Sequence, residues 1–135
     1  MTHTPATPAI AAVADAYMHA WNSRDVDAIL ALHSDTSTFQ VHGRTPVIEG
    51  IDALRKAFHG VFELYPNFHG EARRLLLGPE HWLLDWTLHF TLNGSDPREF
   101  HCIDIVEVSP EGLVTRKDTF YDYPQAQAAM AGATS

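Results

Sequence analysis

The sequence predicts an α+β fold, with helices first and then antiparallel strands that curve into one helix-covered sheet. Three observations predict it. Up to Tyr65 apolar residues recur mainly at three- and four-residue spacing, beyond it they alternate in long segments, and turn signals part those segments.

Ile10, Val13, Tyr17 and Trp21 share one helical face, and "NSRD" breaks the pattern. Asp25 can cap a second, shorter helix whose Val26, Ile29, Leu30 and His33 again fall on one face. "TFQVHG" and "TPVIEG" read as short strands around a turn. A third helix lies in "GIDALRKAFHGVFELYP", with Ile51, Leu54, Phe58, Val61, Phe62 and Tyr65 on its inner side, and Pro66 stops it. Strands are then expected in "ARRLLL", "HWLLDWTLHFTL", "REFHCIDIVEV" and "LVTRKDTFYDY", parted by Gly78-Pro79, "NGSDP" and "SPEG". The chain reads as one domain over residues 1–135, with loose ends at 1–9 and 125–135.

Side chains alternate across a strand, so Phe100, Cys102, Asp104, Val106 and Val108 share a face, and His101, Ile103, Ile105 and Glu107 share the other. Trp82, Leu84, Trp86, Leu88, Phe90 and Leu92 form a wholly apolar face. The helices must cover one side of the sheet. The reverse side is partly apolar, which predicts a homodimer packed through that outer face, with His89 and His101 near the contact.

Seventeen acidic against nine basic residues give a formal charge of -8, which disfavours nucleic acid and anionic membrane surfaces as partners. The N-terminus lacks a signal-peptide pattern and no apolar run approaches the roughly 20 residues of a membrane span, so the expected location is the cytoplasm. Cys102 is the single cysteine and excludes an intramolecular disulfide. Nine histidines raise the question of a metal, but no His-Glu-x-x-His pattern or helical histidine pair is present, so no metal site is expected. Phosphate-loop, dinucleotide and nucleophile-elbow motifs are missing as well, and no cofactor is expected.

The element order, together with "YMHAWNSRDVDAILALHSDTSTF", "LDWTLHFTLNG" and the closing "GLVTRKDTFYD", resembles the nuclear-transport-factor-two-like superfamily. Within it the chain is similar to SnoaL-like polyketide cyclases and ketosteroid isomerases. This resemblance spans about Ile10 to Pro124 and implies a cystatin-like α+β barrel, a cone with a pocket between helices and sheet. It does not settle function, because the superfamily holds isomerases, cyclases, epoxide hydrolases, dehydratases and binding domains. Matched to the isomerases, Tyr17 falls on the oxyanion-hole tyrosine and Asp104 on the oxyanion-hole aspartic acid. The isomerase base falls on Val41, with His42 adjacent, and Phe58 replaces a hydrogen-bonding tyrosine. Against the limonene epoxide hydrolases, the final-strand aspartate falls on Thr119, with Asp118 on the opposite face.

Asp104 among Phe100, Cys102 and Val106 is expected to lose solvation and act as a neutral hydrogen-bond donor, with Tyr17 as its partner on one substrate oxygen. His42 is the candidate base, since imidazole titrates near neutrality. Both Asp104 and Tyr17 have structural alternatives: a carboxylate paired inside the sheet, and a core aromatic. The fold implied by the resemblance makes Trp21, Phe39, Val41, Phe58, Phe62, Trp86, Leu88, Phe90, Cys102, Thr119 and Tyr121 the expected pocket lining. Arg116, Lys117, Asp118 and Asp122 are expected to form ion pairs along the last strand or across a dimer. The expected ligand is a small hydrophobic, oxygen-bearing molecule handled by cofactor-free isomerase, cyclase or hydratase chemistry. The rival expectation is a non-catalytic binding or association domain.

Overall fold

The computed structural model describes residues 9–132, so of the loose start expected at 1–9 all but Ala9 lies outside the described residues. Helix α1 (Ile10–Ser23) and the short α2 (Val26–Leu30) lead into strand β1 (His33–Val41) and the two-residue β2 (Ile48–Glu49). Helix α3 (Ile51–Leu64) precedes four strands, β3 (His69–Leu77), β4 (His81–Leu92), β5 (Asp96–Val108) and β6 (Val114–Tyr121), and α4 (Tyr123–Ala129) closes the chain.

The strands form one six-stranded sheet in the order β2-β1-β6-β5-β4-β3. Pairing is antiparallel except where β6 returns to lie parallel to β1. A parallel pair needs a long crossover, and α3 with the β3–β5 meander supplies it. Register shifts in β1, in β3 between Ala72 and Arg74, and in β5 between Glu107 and Val108 interrupt the ladders. Such irregularities bend strands, and the sheet curves around the helices.

Cross-strand register lays the inner side chains in rows. One row holds Phe39, Lys117, Val106 and Trp82, the next Val41, Thr119, Asp104 and Leu84, and a third Tyr121, Cys102 and Trp86. All six inner residues of β4, from Trp82 to Leu92, are buried, as their alternation predicts.

Helix α1 buries Val13, Ala14, Tyr17, Ala20 and Trp21. Its end is tied to β3 by Asn22, whose Nδ2 donates to Gly70 O at 3.0 Å and whose Oδ1 accepts from Gly70 N at 2.7 Å. Gly70 has a steric reason to be glycine, because a Cβ there would sit 3.3 Å from Trp86 Cε3. At the start of α3, Gly50 adopts φ 90°, a left-handed conformation that L side chains rarely adopt.

Two sequence expectations change here. The residue His33 does not continue the apolar face of α2, which ends at Leu30; it opens β1 as a buried residue. The C-terminal segment is not loose from residue 125. Asp122 caps α4 by accepting from Gln125 N at 3.1 Å, Ala126 and Ala129 are buried, and Arg98 donates to Ala129 O and Ala131 O.

Candidate functional site

Between α1, α3 and the inner face of the sheet lies a cavity of about 370 Å³ with a mostly apolar wall. The exposed lining residues Arg44 and Leu64 mark its mouth. Tyr17 and Trp82 line its buried part.

One ion pair stands in this wall. Lys117 Nζ lies 2.9 Å from Asp104 Oδ2, and Thr119 Oγ1 donates to Asp104 Oδ1 at 2.8 Å. The side chains of Lys117 and Asp104 are 6% and 5% exposed, so both charges are shielded from water. Burial alone would lower the Lys117 pKa, but the Asp104 carboxylate beside it prevails and raises it. Two aromatic faces complete the ammonium's surroundings, Trp21 at 4.9 Å and Tyr17 at 5.2 Å from Nζ.

The expectation of Asp104 as a neutral donor among apolar neighbours is therefore corrected: both of its protein partners donate to it. The cause is period-two alternation in β6, which puts Lys117 on the same inner face as Thr119 and Tyr121. Lys117 is the main residue the sequence reading missed as a site residue. Its signal was present, since the face assigned to Thr119 and Tyr121 also contains Lys117.

Tyr17 is buried and shares a 2.8 Å hydrogen bond with His33 Nε2, while His33 Nδ1 lies 3.0 Å from Ser37 Oγ. Burial, reinforced by the nearby Lys117 ammonium, pulls the His33 pKa down to about 3, so the imidazole is neutral at physiological pH. Burial raises the Tyr17 pKa against the opposing pull of Lys117. Cys102 lines the cavity with its thiol pKa pushed up by burial and then by the Asp104 charge, which makes it an unreactive wall residue.

Of the other expected lining residues, Trp21 borders the cavity on the helix side and Phe39, Val41, Trp86, Leu88, Thr119 and Tyr121 on the sheet side. Three do not border it. Phe58 is fully buried, with its ring 4.8 Å from Trp21 and 5.3 Å from Phe39, because the third helix turns it into the core rather than the space beside it. Phe62 packs against Trp21 and Phe68, and Phe90 lies against Tyr65 and Phe100, so other rings fill the positions beside the cavity.

His42 is corrected as a candidate base. Its Nε2 lies 2.7 Å from Asp118 Oδ1, its ring stacks on Phe120 at 4.1 Å, and it is not part of the cavity wall. Strand alternation explains this, for Val41 and Thr119 face inward while their neighbours His42, Asp118 and Phe120 face the other way. Asp118 is satisfied there by His42 and by Arg116, whose Nε lies 2.7 Å from Oδ2.

Comparison with known proteins agrees with this architecture. The SnoaL-like domain family model matches residues 14–117, and the chain belongs to that family. No curated protein matches it in sequence. Among solved structures, it is similar to the epoxide hydrolase/cyclase-like enzyme SalBIII, which has a role in pyran ring formation in the polyether salinomycin (20% identity, TM-score 0.76, 86% of this chain and 92% of that one). A hypothetical protein from Catenulispora acidiphila with a ketosteroid isomerase-like fold, in complex with trimethylamine, superposes at TM-score 0.78 with 15% identity over 96% of each chain. Rv0760c from Mycobacterium tuberculosis, in complex with estradiol-17β-hemisuccinate, superposes at TM-score 0.73 with 16% identity, covering 86% of this chain and 95% of that one. At these identities the likeness establishes the nuclear-transport-factor-two-like fold.

Proposed function

We propose that the cavity binds a small hydrophobic, oxygen-bearing molecule and that the protein performs cofactor-free acid–base chemistry on it. The observation that carries this reading is the Lys117–Asp104 pair in an otherwise apolar wall. A buried ion pair is a poor stabilising device, since apolar residues of similar volume often serve stability as well or better. Set beside a cavity, it provides an acid–base pair that a ligand can meet.

In this reading Lys117 N–H groups not engaged by Asp104 meet the ligand oxygen and stabilise negative charge that develops on it. Tyr17 adds a donor when the single ring proton of neutral His33 sits on Nε2, which leaves the phenol hydrogen directed elsewhere than at the histidine. Asp104, held by Lys117 and Thr119, takes or positions the proton that leaves a carbon or a water. Enolisation, cyclisation and hydration all fit this division of labour. SalBIII's role in ring formation makes cyclisation the first class to examine.

The test follows solvent deuterium into the α-positions of β-decalone, with binding monitored by tryptophan fluorescence. The expected result is binding and catalysed exchange in the natural protein, with exchange reduced at least tenfold and binding retained in Asp104→Asn. Binding without catalysed exchange would favour the non-catalytic alternative for this ketone class. Absence of binding by β-decalone and larger apolar ketones would overturn the reading.

The outer sheet face carries Ile105 and Phe120, each 36% exposed, among charged neighbours. We propose that it meets a second copy of this chain.

A further inference from the structure

Among the described residues the cavity wall carries three charged side chains, Arg44, Asp104 and Lys117. Two of them neutralise each other, since Lys117 Nζ lies 2.9 Å from Asp104 Oδ2. Arg44 stands apart. The strand cations Arg73, Arg74, Arg98, Arg116 and Lys117 each pair with a carboxylate, whereas Arg44 forms no ion pair among the described residues. The wall is thus net positive in a chain whose formal charge is -8. Such a protein repels anions in general, and a recess lined with the opposite sign draws them to one place.

The guanidinium is seated by the fold. Its Cζ lies 4.0 Å over the Tyr123 ring at the start of α4, and Arg44 N donates to Val41 O at 3.0 Å in the turn after β1. Stacking occupies a face of the guanidinium, while its N–H groups point outward in the plane, where a carboxylate can take two of them at once. Arg44 is exposed at the cavity mouth, so a group arriving from solvent reaches it. Its charge also acts on the wall: burial raises the pKa of the cavity-lining Tyr65 phenol, Tyr121 and Cys102 push the same way, and Arg44 opposes them.

Position along the sheet separates Arg44 from the ion pair. Asp104 and Thr119 share one row, and Tyr121 lies in the next, about 7 Å along the strand. The guanidinium sits over Tyr123, two residues past Tyr121 in the chain. The two cationic stations are therefore on the order of 10 Å apart, a span that a bicyclic frame substituted at opposite ends can bridge.

We propose that the preferred occupant is an apolar acid whose carboxylate pairs with Arg44 at the mouth while an oxygen at the other end of its frame meets Lys117. This rests on the cavity being a ligand site and deepens that reading by specifying a class, keto acids and related oxygenated carboxylates. A neutral ketone of the same frame engages the inner station alone.

The experiment titrates the full chain with a decalone bearing a carboxylate on the far ring, and with the methyl ester of that compound, at low and high salt. Binding is followed by tryptophan fluorescence. The acid is expected to bind about tenfold or more tightly than the ester at low salt, the scale of a charge-assisted pair, and the gap should narrow at high salt because the mouth is exposed to screening ions. Arg44→Gln should erase the preference for the acid, and Arg44→Lys, which keeps the charge but not the planar fork, should retain part of it. Equal affinity of the natural protein for acid and ester would overturn the assignment while leaving the cavity a binding site. So would a preference for the acid that survives Arg44→Gln, which would place the carboxylate at Lys117. If neither compound binds, the ligand-site reading fails together with the inference.

Discussion

Lys117 holds the positive charge of the buried pair with Asp104, and its energetic role is separable from its chemical one. Lys117→Met leaves Asp104 buried with only Thr119 as a partner, and should destabilise the fold by about 3 to 5 kcal/mol. The double substitution Lys117→Met with Asp104→Leu removes both charges and should recover most of that loss. Urea denaturation of the two variants checks this, and a double variant no more stable than the single one would contradict the account. His33 gives a second expectation. Its folded-state pKa of about 3 lies below the ordinary 6.5, so the unfolded chain binds the proton more readily. The His33 contribution is fully present above about pH 6.5 and is progressively lost as pH falls toward 3, up to about 5 kcal/mol in total. His33→Gln should flatten the loss of stability between pH 6.5 and 4, as followed by chemical denaturation at each pH.

At the scale of elements, the join between α1 and β3 positions both Trp21 and Trp86. Asn22 makes two hydrogen bonds to the Gly70 backbone, so Asn22→Ala should cost about 1 to 3 kcal/mol. It should also loosen the seat of Trp86, seen as broadening of that residue's indole signal. Loss of stability without any change at Trp86 would show that the join braces the fold alone. Strand β4 was legible from sequence to the residue, because its two faces differ sharply in polarity and Gly78-Pro79 and Asn93-Gly94 bound it. The start of β1 was not. "HSDTS" is polar and short-chained, and it becomes a strand by lying beside β6 in the parallel pairing rather than by its own propensity.

For the whole molecule, the proposed dimer joins the outer sheet faces of two copies. The natural protein should sediment at twice the chain mass of 15.0 kDa, and Ile105→Asp should shift it to the monomer with the cavity and fold intact. A natural protein that sediments at 15.0 kDa would dismiss that interface. The outer face is not uniformly apolar, since Asp85 pairs with His101 and Glu71 with His89 on it. Those pairs satisfy charges within one chain and leave Ile105, Phe120 and, on β3, Leu76 among the apolar contacts of that face.

The sequence by itself determined the order of the three leading helices and the strands after them, the inner face of β4 and β5, and the placing of Tyr17 and Asp104 on buried faces, because helical and strand periodicity are local properties of the chain. Only tertiary structure decided what those residues touch. Lys117 became a buried partner of Asp104 because β6 returns between β1 and β5, a placement no local pattern specifies. His42 was turned to the far side by the same alternation that turned Thr119 inward, and Phe58 was enclosed by rings from α1 and β1. Side-chain direction follows from neighbouring residues, but the identity of a partner across the sheet follows from topology and register, which arise only when the strands assemble.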